Sequence, residues 1–243
     1  MTTREATREA WRNLKGKPLK DKLVHIGTYY WPYILVVGFL LTLSVSIIYT
    51  AVTAKDTALQ GYFTSTTQQE DDPWDFRQDF AAFAGIDTEK YEITLTASSY
   101  AVSGSTDMSI ADSQIIASWS ASEALDILGA DTETLLNYAY NDYFCDLREV
   151  LTPEQLEKWE THLIYMDWAV YQQISSSDEL SYELPDPAVP ESMEDPIPVA
   201  IAVPESSVLW DSYTFLGESP AVGIIINSPR REAAVRFLEY ILK

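Results

Sequence analysis

Cysteine, histidine and positive charge are the scarce materials of this 243-residue sequence. One cysteine, Cys145, excludes an intrachain disulfide framework and any multi-cysteine zinc site. Set among apolar neighbours in YFCDLREVL, it reads as a small buried hydrophobe rather than a reactive thiol. The two histidines, His25 and His162, fall in a juxtamembrane stretch and at the end of a Lys-Trp-Glu-rich helix, where solvation or a helix C-terminus accounts for them. No nucleophile elbow, P-loop, zincin helix or glycine-rich dinucleotide loop occurs, so no catalytic residue and no cofactor is expected. Paired-carboxylate chemistry has many acids to draw on, but the spacing singles out no pair.

Charge is distributed unevenly. Residues 1–30 hold seven basic and three acidic side chains, net +4, whereas 31–243 hold nine basic and 34 acidic ones, net −25. Nucleic acid is excluded as a partner of the acidic part, since phosphate neutralisation needs clustered cations. Between the two lies an uncharged run, residues 26–54. Its stretch from Tyr33 to Ala54 is long enough as a helix, roughly 33 Å, for a bilayer core. Tyr29, Tyr30, Trp31 and Tyr33 gather at one end and Tyr49 lies near the other, as interfacial aromatics do. Val52-Thr53-Ala54 looks like a signal cleavage site, but the run is longer than a signal core, and no cysteine sits at its end for lipid attachment. The expected organisation is therefore a cytoplasmic basic arm (1–30), a transmembrane helix (31–54) and an extracytoplasmic domain (55–243). The protein would cross the cell membrane once, N-terminus inside, with the lipid bilayer as its first partner. The arm is either an orientation signal or a patch for anionic inner-leaflet lipid.

The outer domain alternates strand-like and helix-like segments. GYFTS (61–65) and YEITLTAS (91–98) read as strands, the second with Tyr91, Ile93 and Leu95 on one face. Between them Asp72, Pro73 and Gly85 punctuate a helix whose buried stripe is Phe76, Phe80 and Phe83. A helix through Ile110, Ile115, Ile116 and Trp119 follows. ALDILGAD (124–131) reads as a buried strand ending in Asp131, the cap of the next helix. Thr152 and Gln155 form a capping box with Pro153 at the first helical position. Segments 164–174 and 181–184 are expected to pair antiparallel, and 198–203 and 223–227 to be further strands. The proline-rich stretch 185–204 is a stiff extended connector. Ser228 and Pro229 start a closing helix that buries Ala233, Ala234, Phe237, Leu238 and Ile241 and keeps Arg230, Arg231 and Arg236 wet. Together these imply α/β layering with some antiparallel strands.

Two features invite a ligand. Glu70, Asp71, Asp72 and Asp75 suggest calcium, but lack EF-hand spacing, and helix capping explains them without a metal; no metal site is expected. Trp74, Tyr100 and Trp210 each fall near a strand end, where α/β folds place binding crevices and where aromatics stack on sugars or peptides. They are the candidate ligand-binding residues. The competing reading is that each covers the rim of the core.

The closing NSPRREAAVRFLEYIL (227–242) resembles the terminal strand–helix element of bacterial extracellular solute-binding proteins, and ALDILGADTETLLNYA (124–139) is similarly placed to an earlier strand–helix of that family. FCDLREVLTPEQLEKW (144–159) and PDPAVPESMEDPIPVAI (185–201) look more narrowly like single-pass, membrane-anchored clostridial members. The resemblance implies an α/β fold: a transmembrane helix followed by a reduced domain of the periplasmic-binding-protein type II kind, with a mixed sheet. It implies a non-catalytic function, either presenting a small solute to a transporter or serving as its accessory subunit, with permease subunits or other envelope proteins as partners. The alternative is a scaffold subunit of an envelope complex that has lost ligand binding.

Overall fold

A computed structural model describes Pro18, Lys20 and residues 31–69, 73–98, 106–176 and 184–243, with the side chains of residues 51, 73–75 and 106–109 outside the description. The chain divides into two units, Met1–Ala54 and Lys55–Lys243.

The first unit contains helix α1, Trp31–Thr53. It is apolar all round, and its large side chains are exposed on every face. The hydroxyls of Thr42, Ser44, Thr50 and Thr53 donate to carbonyls one turn back, at 2.7–2.9 Å, so these polar atoms are satisfied within the helix. The helix is long and apolar enough to cross a membrane, and a signal sequence has the same character.

The second unit is a mixed α/β domain. Its strands are β1 (Asp56–Thr64), β2 (Thr66–Gln68), β3 (Tyr91–Ser98), β4 (Ile127–Asp131), β5 (Leu163–Asp167), β6 (Pro196–Ala202), β7 (Tyr213–Phe215) and β8 (Pro220–Ile224). Its helices are α2 (Pro73–Ala84), α3 (Thr106–Ala121), α4 (Thr132–Ala139), α5 (Pro153–Lys158), α6 (Trp168–Ser176) and α7 (Arg231–Ile241). Six strands form one sheet in the order β3-β1-β4-β8-β6-β5, and β2 pairs with β7 in a small second sheet. β3, β1 and β4 run parallel; β8, β6 and β5 continue antiparallel.

Winding explains the layers. The chain passes from β1 through α2 to β3 on one side, then through α3 to β4 on the other. Right-handed crossovers in opposite directions put the two helices on opposite faces. The core divides accordingly. Phe63, Ile127 and Val222 pack with Phe76 and Phe80 of α2 and Phe237 of α7. Tyr62, Leu128 and Val199 pack with Ile116 of α3 and Leu135 of α4. Alternation along β1 sends Phe63 to the first layer and Tyr62 to the second. Gly129, in the neighbouring strand, has no Cβ, and the Phe63 ring lies where one would sit.

Local signals account for several boundaries. β3 occupies residues 91–98 and α2 starts at Pro73. Gly85 follows α2 at φ +71°, the left-handed conformation that ends a helix without steric cost. Asp131 caps α4, accepting from the Thr134 N–H at 2.9 Å, and Thr152 and Gln155 form the reciprocal capping box of α5.

Other expectations are corrected. β1 begins at Asp56, five residues before Gly61. Residues 164–174 are not one strand: β5 stops at Asp167, whose carboxylate accepts from the N–H groups of Ala169, Glu194 and Asp195 at 3.0, 2.9 and 3.1 Å, and α6 starts at the next residue. Desolvation opposes the charge on Asp167, but these backbone donors outweigh it and leave the carboxyl below its ordinary pKa. β5 pairs with β6; of the expected partner 181–184, Leu184 is outside any strand and 181–183 lie outside the described residues. Helix α3 buries Asp112, Ile116 and Ser120 while Ile110 and Ile115 face out. Phe83 and Tyr91 are 41% and 42% exposed rather than core residues. Ala233 is only half-buried, and Arg230 turns inward.

Candidate functional site

Parallel α/β sheets bind ligands beyond the carboxyl ends of their strands, where the winding direction reverses. Here that point is the gap between β1 and β4. Three segments holding the expected ligand residues leave the sheet on this edge: the one after β1 leads to Trp74, the one after β3 to Tyr100, and the one after β6 to Trp210.

The exit from β1 is sharply turned. Ser65 takes φ +52°, uncommon for a residue with a side chain, and its carbonyl accepts from the Leu216 N–H at 2.8 Å. This turn sends the chain into β2, which pairs with β7 as a two-stranded ledge over the edge of the main sheet.

Beneath the ledge, on the α3 side, lies a closed polar cluster. Thr64 and Ser98 are direct neighbours in the β1–β3 ladder, and alternation places Tyr62 on the same face. All three hydroxyls donate to one carboxylate, Asp112 of α3. Tyr62 Oη reaches Oδ1 at 2.7 Å, Thr64 Oγ1 reaches Oδ2 at 3.2 Å, and Ser98 Oγ lies at 2.8 and 2.9 Å from the two oxygens. All four side chains are buried. Burial first, and then the hydrogen bond to Asp112, push the Tyr62 phenol up to about 12. The cluster fastens α3 to the parallel strands, and the hydroxyls fix the carboxylate against water. Among the described residues no histidine, cysteine or lysine joins it.

Trp210 lies in a turn at Val208–Asp211, half-buried. Its indole N–H donates to the Pro204 carbonyl at 2.9 Å, and its ring meets Phe215 edge-on at 5.6 Å. Gln69, at the end of β2, donates to the Trp210 carbonyl at 2.9 Å, joining this turn to the ledge. Trp74 is the second residue of α2; its side chain is outside the description, and Tyr100 lies outside the described residues altogether. Glu70, Asp71 and Asp72 also lie outside them, as does the side chain of Asp75 and the whole of His25.

At the opposite edge a second polar group is buried. Asp126, just ahead of β4, accepts from the Gln60 N–H at 2.7 Å, the Ser228 hydroxyl at 2.6 Å and Arg230 Nε at 2.7 Å. Arg230 also donates to the Ala124 carbonyl at 3.0 Å. This ties the start of α7 to the middle of the sheet. Cys145 is buried, and desolvation raises its thiol to about 11, which keeps it protonated. His162 is half-buried in a turn beside α5.

A groove of about 480 Å³ runs between α5 and α7, lined by Glu149, Thr152, Arg231, Arg236 and Glu239 among others. Four of its charges pair with one another, Arg231 with Glu149 at 3.7 Å and Arg236 with Glu239 at 2.8 Å, and Glu232 lines it as well. Among the described residues no three His, Cys, Asp or Glu side chains are grouped to hold a metal ion.

Asp112 and its hydroxyl partners escape a reading based on apolar periodicity. The available signal is the i, i+4, i+8 row Asp112, Ile116, Ser120 in a helix otherwise rich in small polar residues. Searches of protein-family models, curated proteins and solved structures return no match for this chain.

Proposed function

We propose that this chain is a membrane-anchored, extracytoplasmic domain of solute-binding type, without catalytic activity, that serves as an accessory subunit of a transporter or another envelope assembly. The observation that carries the reading is the single edge on which the segments after β1, β3 and β6 all emerge, the same edge that holds the switch point between β1 and β4. The closed state of the Asp112 cluster supports an accessory role over an enzymatic one: its hydroxyls and carboxylate satisfy one another and are shielded from solvent. Helix α1 acts as an uncleaved anchor, and the net +4 charge of residues 1–30 keeps the N-terminus in the cytoplasm.

A second reading, presentation of a small solute, is favoured by Trp210 alone. Its polar N–H is engaged while the half-buried indole remains at the rim of this edge. The two readings separate in one experiment on the full-length chain. A photo-crosslinking amino acid at position 210, used in intact cells, should capture a membrane protein of permease type, while melting of the purified chain should not respond to panels of sugars, amino acids and short peptides. A melt raised by one solute class, abolished in Trp210→Ala, would move the assignment to solute presentation. Turnover of any substrate lost in Asp112→Asn would overturn both.

A further inference from the structure

The two edges of the main sheet are treated differently. At the β5 edge the chain covers itself: the Tyr165 N–H donates to the Pro187 carbonyl at 2.9 Å, and the ladder is irregular between Ile164 and Tyr165. These are the usual means of keeping an edge from recruiting another strand. The ladder at the β3 edge is also irregular, between Thr57 and Leu59 of β1, but among the described residues no segment covers it. The eight residues of β3, YEITLTAS, include no proline and no lysine, and among the described residues β3 is bonded to β1 alone. In a parallel pair alternate residues turn their N–H and C=O groups outward. No described group outside β1 bonds to the backbone of residues 92–97.

We propose that this edge pairs with the same edge of a second copy, antiparallel and centred on Thr94, so that the two sheets become continuous about a two-fold axis. Opposed residues of an antiparallel pair lie on the same face, so only registers in which odd residues meet odd and even meet even are allowed. Centring on Thr94 sets Thr94 against itself, Ile93 against Leu95, Glu92 against Thr96 and Tyr91 against Ala97. Each pair is one that sheets favour or tolerate: threonine with threonine, apolar with apolar, and no like charges opposed. The odd residues continue the face that α2 covers, where Ile93 and Leu95 already belong to the core. Tyr91, 42% exposed in the single copy, is covered by Ala97 of the other. The neighbouring allowed register, centred on Leu95, leaves Tyr91 beyond the pairing and sets Glu92 against Ser98, whose hydroxyl is committed to Asp112. A centre on Ile93 shortens the paired stretch. The net −25 of residues 31–243 opposes association, but at physiological ionic strength charges more than about 8 Å apart are largely screened.

Cysteine scanning of the full-length chain in its own membrane tests this. Glu92 is exposed and Thr94 and Thr96 are half-buried, so single replacements there should leave the melt unchanged; Cys145, buried, stays out of reach of an oxidant. Under copper-phenanthroline, Thr94→Cys should form a disulfide-linked dimer in most of the population. Glu92→Cys and Thr96→Cys should each stay monomeric alone and cross-link when co-expressed. The unaltered chain should not cross-link. A Thr94→Cys chain that stays monomeric overturns the proposal, as does cross-linking of Thr94→Cys with Thr96→Cys in place of the predicted pairs. Equal cross-linking at all three positions, the mark of random collision in the membrane, overturns it too.

Discussion

Arg230 Nε stands 2.7 Å from Asp126 Oδ2, and that carboxylate is wholly buried while the arginine keeps 23% of its side chain in solvent. The two residues are 104 positions apart in the chain. The pair is therefore a tertiary clasp: it holds the entry to α7 against the start of β4, with Ser228 and Gln60 completing the carboxylate's partners.

Removing one side of such a pair leaves an uncompensated buried charge, which typically costs about 3–5 kcal/mol. Arg230→Ala should destabilise the chain toward the lower end of that range, because the arginine is partly solvated. Arg236→Ala, which breaks only an exposed pair with Glu239 one turn on, should change stability by less than about 0.5 kcal/mol. Paired denaturant melts read the difference. Equal effects of the two substitutions would reduce the clasp to a surface contact.

Phe237 gives a second measure of how α7 is held. It is fully buried, with ring centroids 5.3 Å from Phe80, 6.1 Å from Phe76 and 6.3 Å from Phe63, so it joins α7 to both α2 and β1. Phe237→Ala should cost about 3–5 kcal/mol, a large share of the roughly 5–15 kcal/mol that stabilises a domain. A melt within about 1 kcal/mol of the parent would mean that α7 is docked on the domain and not part of its core.

Legibility of the fold follows the range of the interactions. β3, the capping box at Thr152 and Gln155 and the start of α2 rest on residues a few positions apart, and the sequence pattern finds them. Arg230 reads as a wet helix residue because nothing within a turn of it reveals Asp126. Residues 164–174 read as one strand because apolar and aromatic side chains dominate the run; what stops it at Asp167 is a set of N–H donors that includes two from residues 194 and 195. The candidate site was legible only in outline. Strand ends locate its edge, but Asp112 is hidden because the sheet beneath α3 offers hydroxyls at that point, so the helix turns a carboxylate inward and two isoleucines out.

That inversion makes a direct prediction. Asp112→Ala removes the shared acceptor of three buried hydroxyls, and each unsatisfied buried group costs about 1–3 kcal/mol. The variant should lose at least about 2 kcal/mol, whereas Ile115→Ser on the same helix should lose less than about 1 kcal/mol, because Ile115 is 37% exposed. Apolar periodicity alone predicts the opposite order. Thermal melts of the two variants decide between the readings, and a larger loss in Ile115→Ser would mean that α3 packs through its isoleucines after all.

The same cluster should impose an alkaline limit. Tyr62 has its phenol raised from an ordinary value of 10 to about 12, by burial first and by Asp112 second. Between those values the unfolded chain has released this proton while the folded one still holds it, so the unfolded state binds fewer protons and stability falls as pH rises. The contribution is whole below pH 10, declines from 10 to 12 and is exhausted above the folded value. Cys145, raised to about 11, adds a fall of the same sign that starts lower, near pH 9, and burial raises Tyr138, Tyr140 and Tyr213 in the same direction. Tyr62→Phe isolates one part of this. It should cost about 1 kcal/mol at pH 7, where a hydrogen bond to Asp112 is lost, and should make stability between pH 10 and 12 less steeply dependent on pH. Denaturant melts across pH 8–12, with tyrosinate absorbance followed in parallel, measure both effects. An unchanged slope in Tyr62→Phe would mean that this phenol ionises alike in the folded and unfolded chain, and the closed cluster would then have to be open to water.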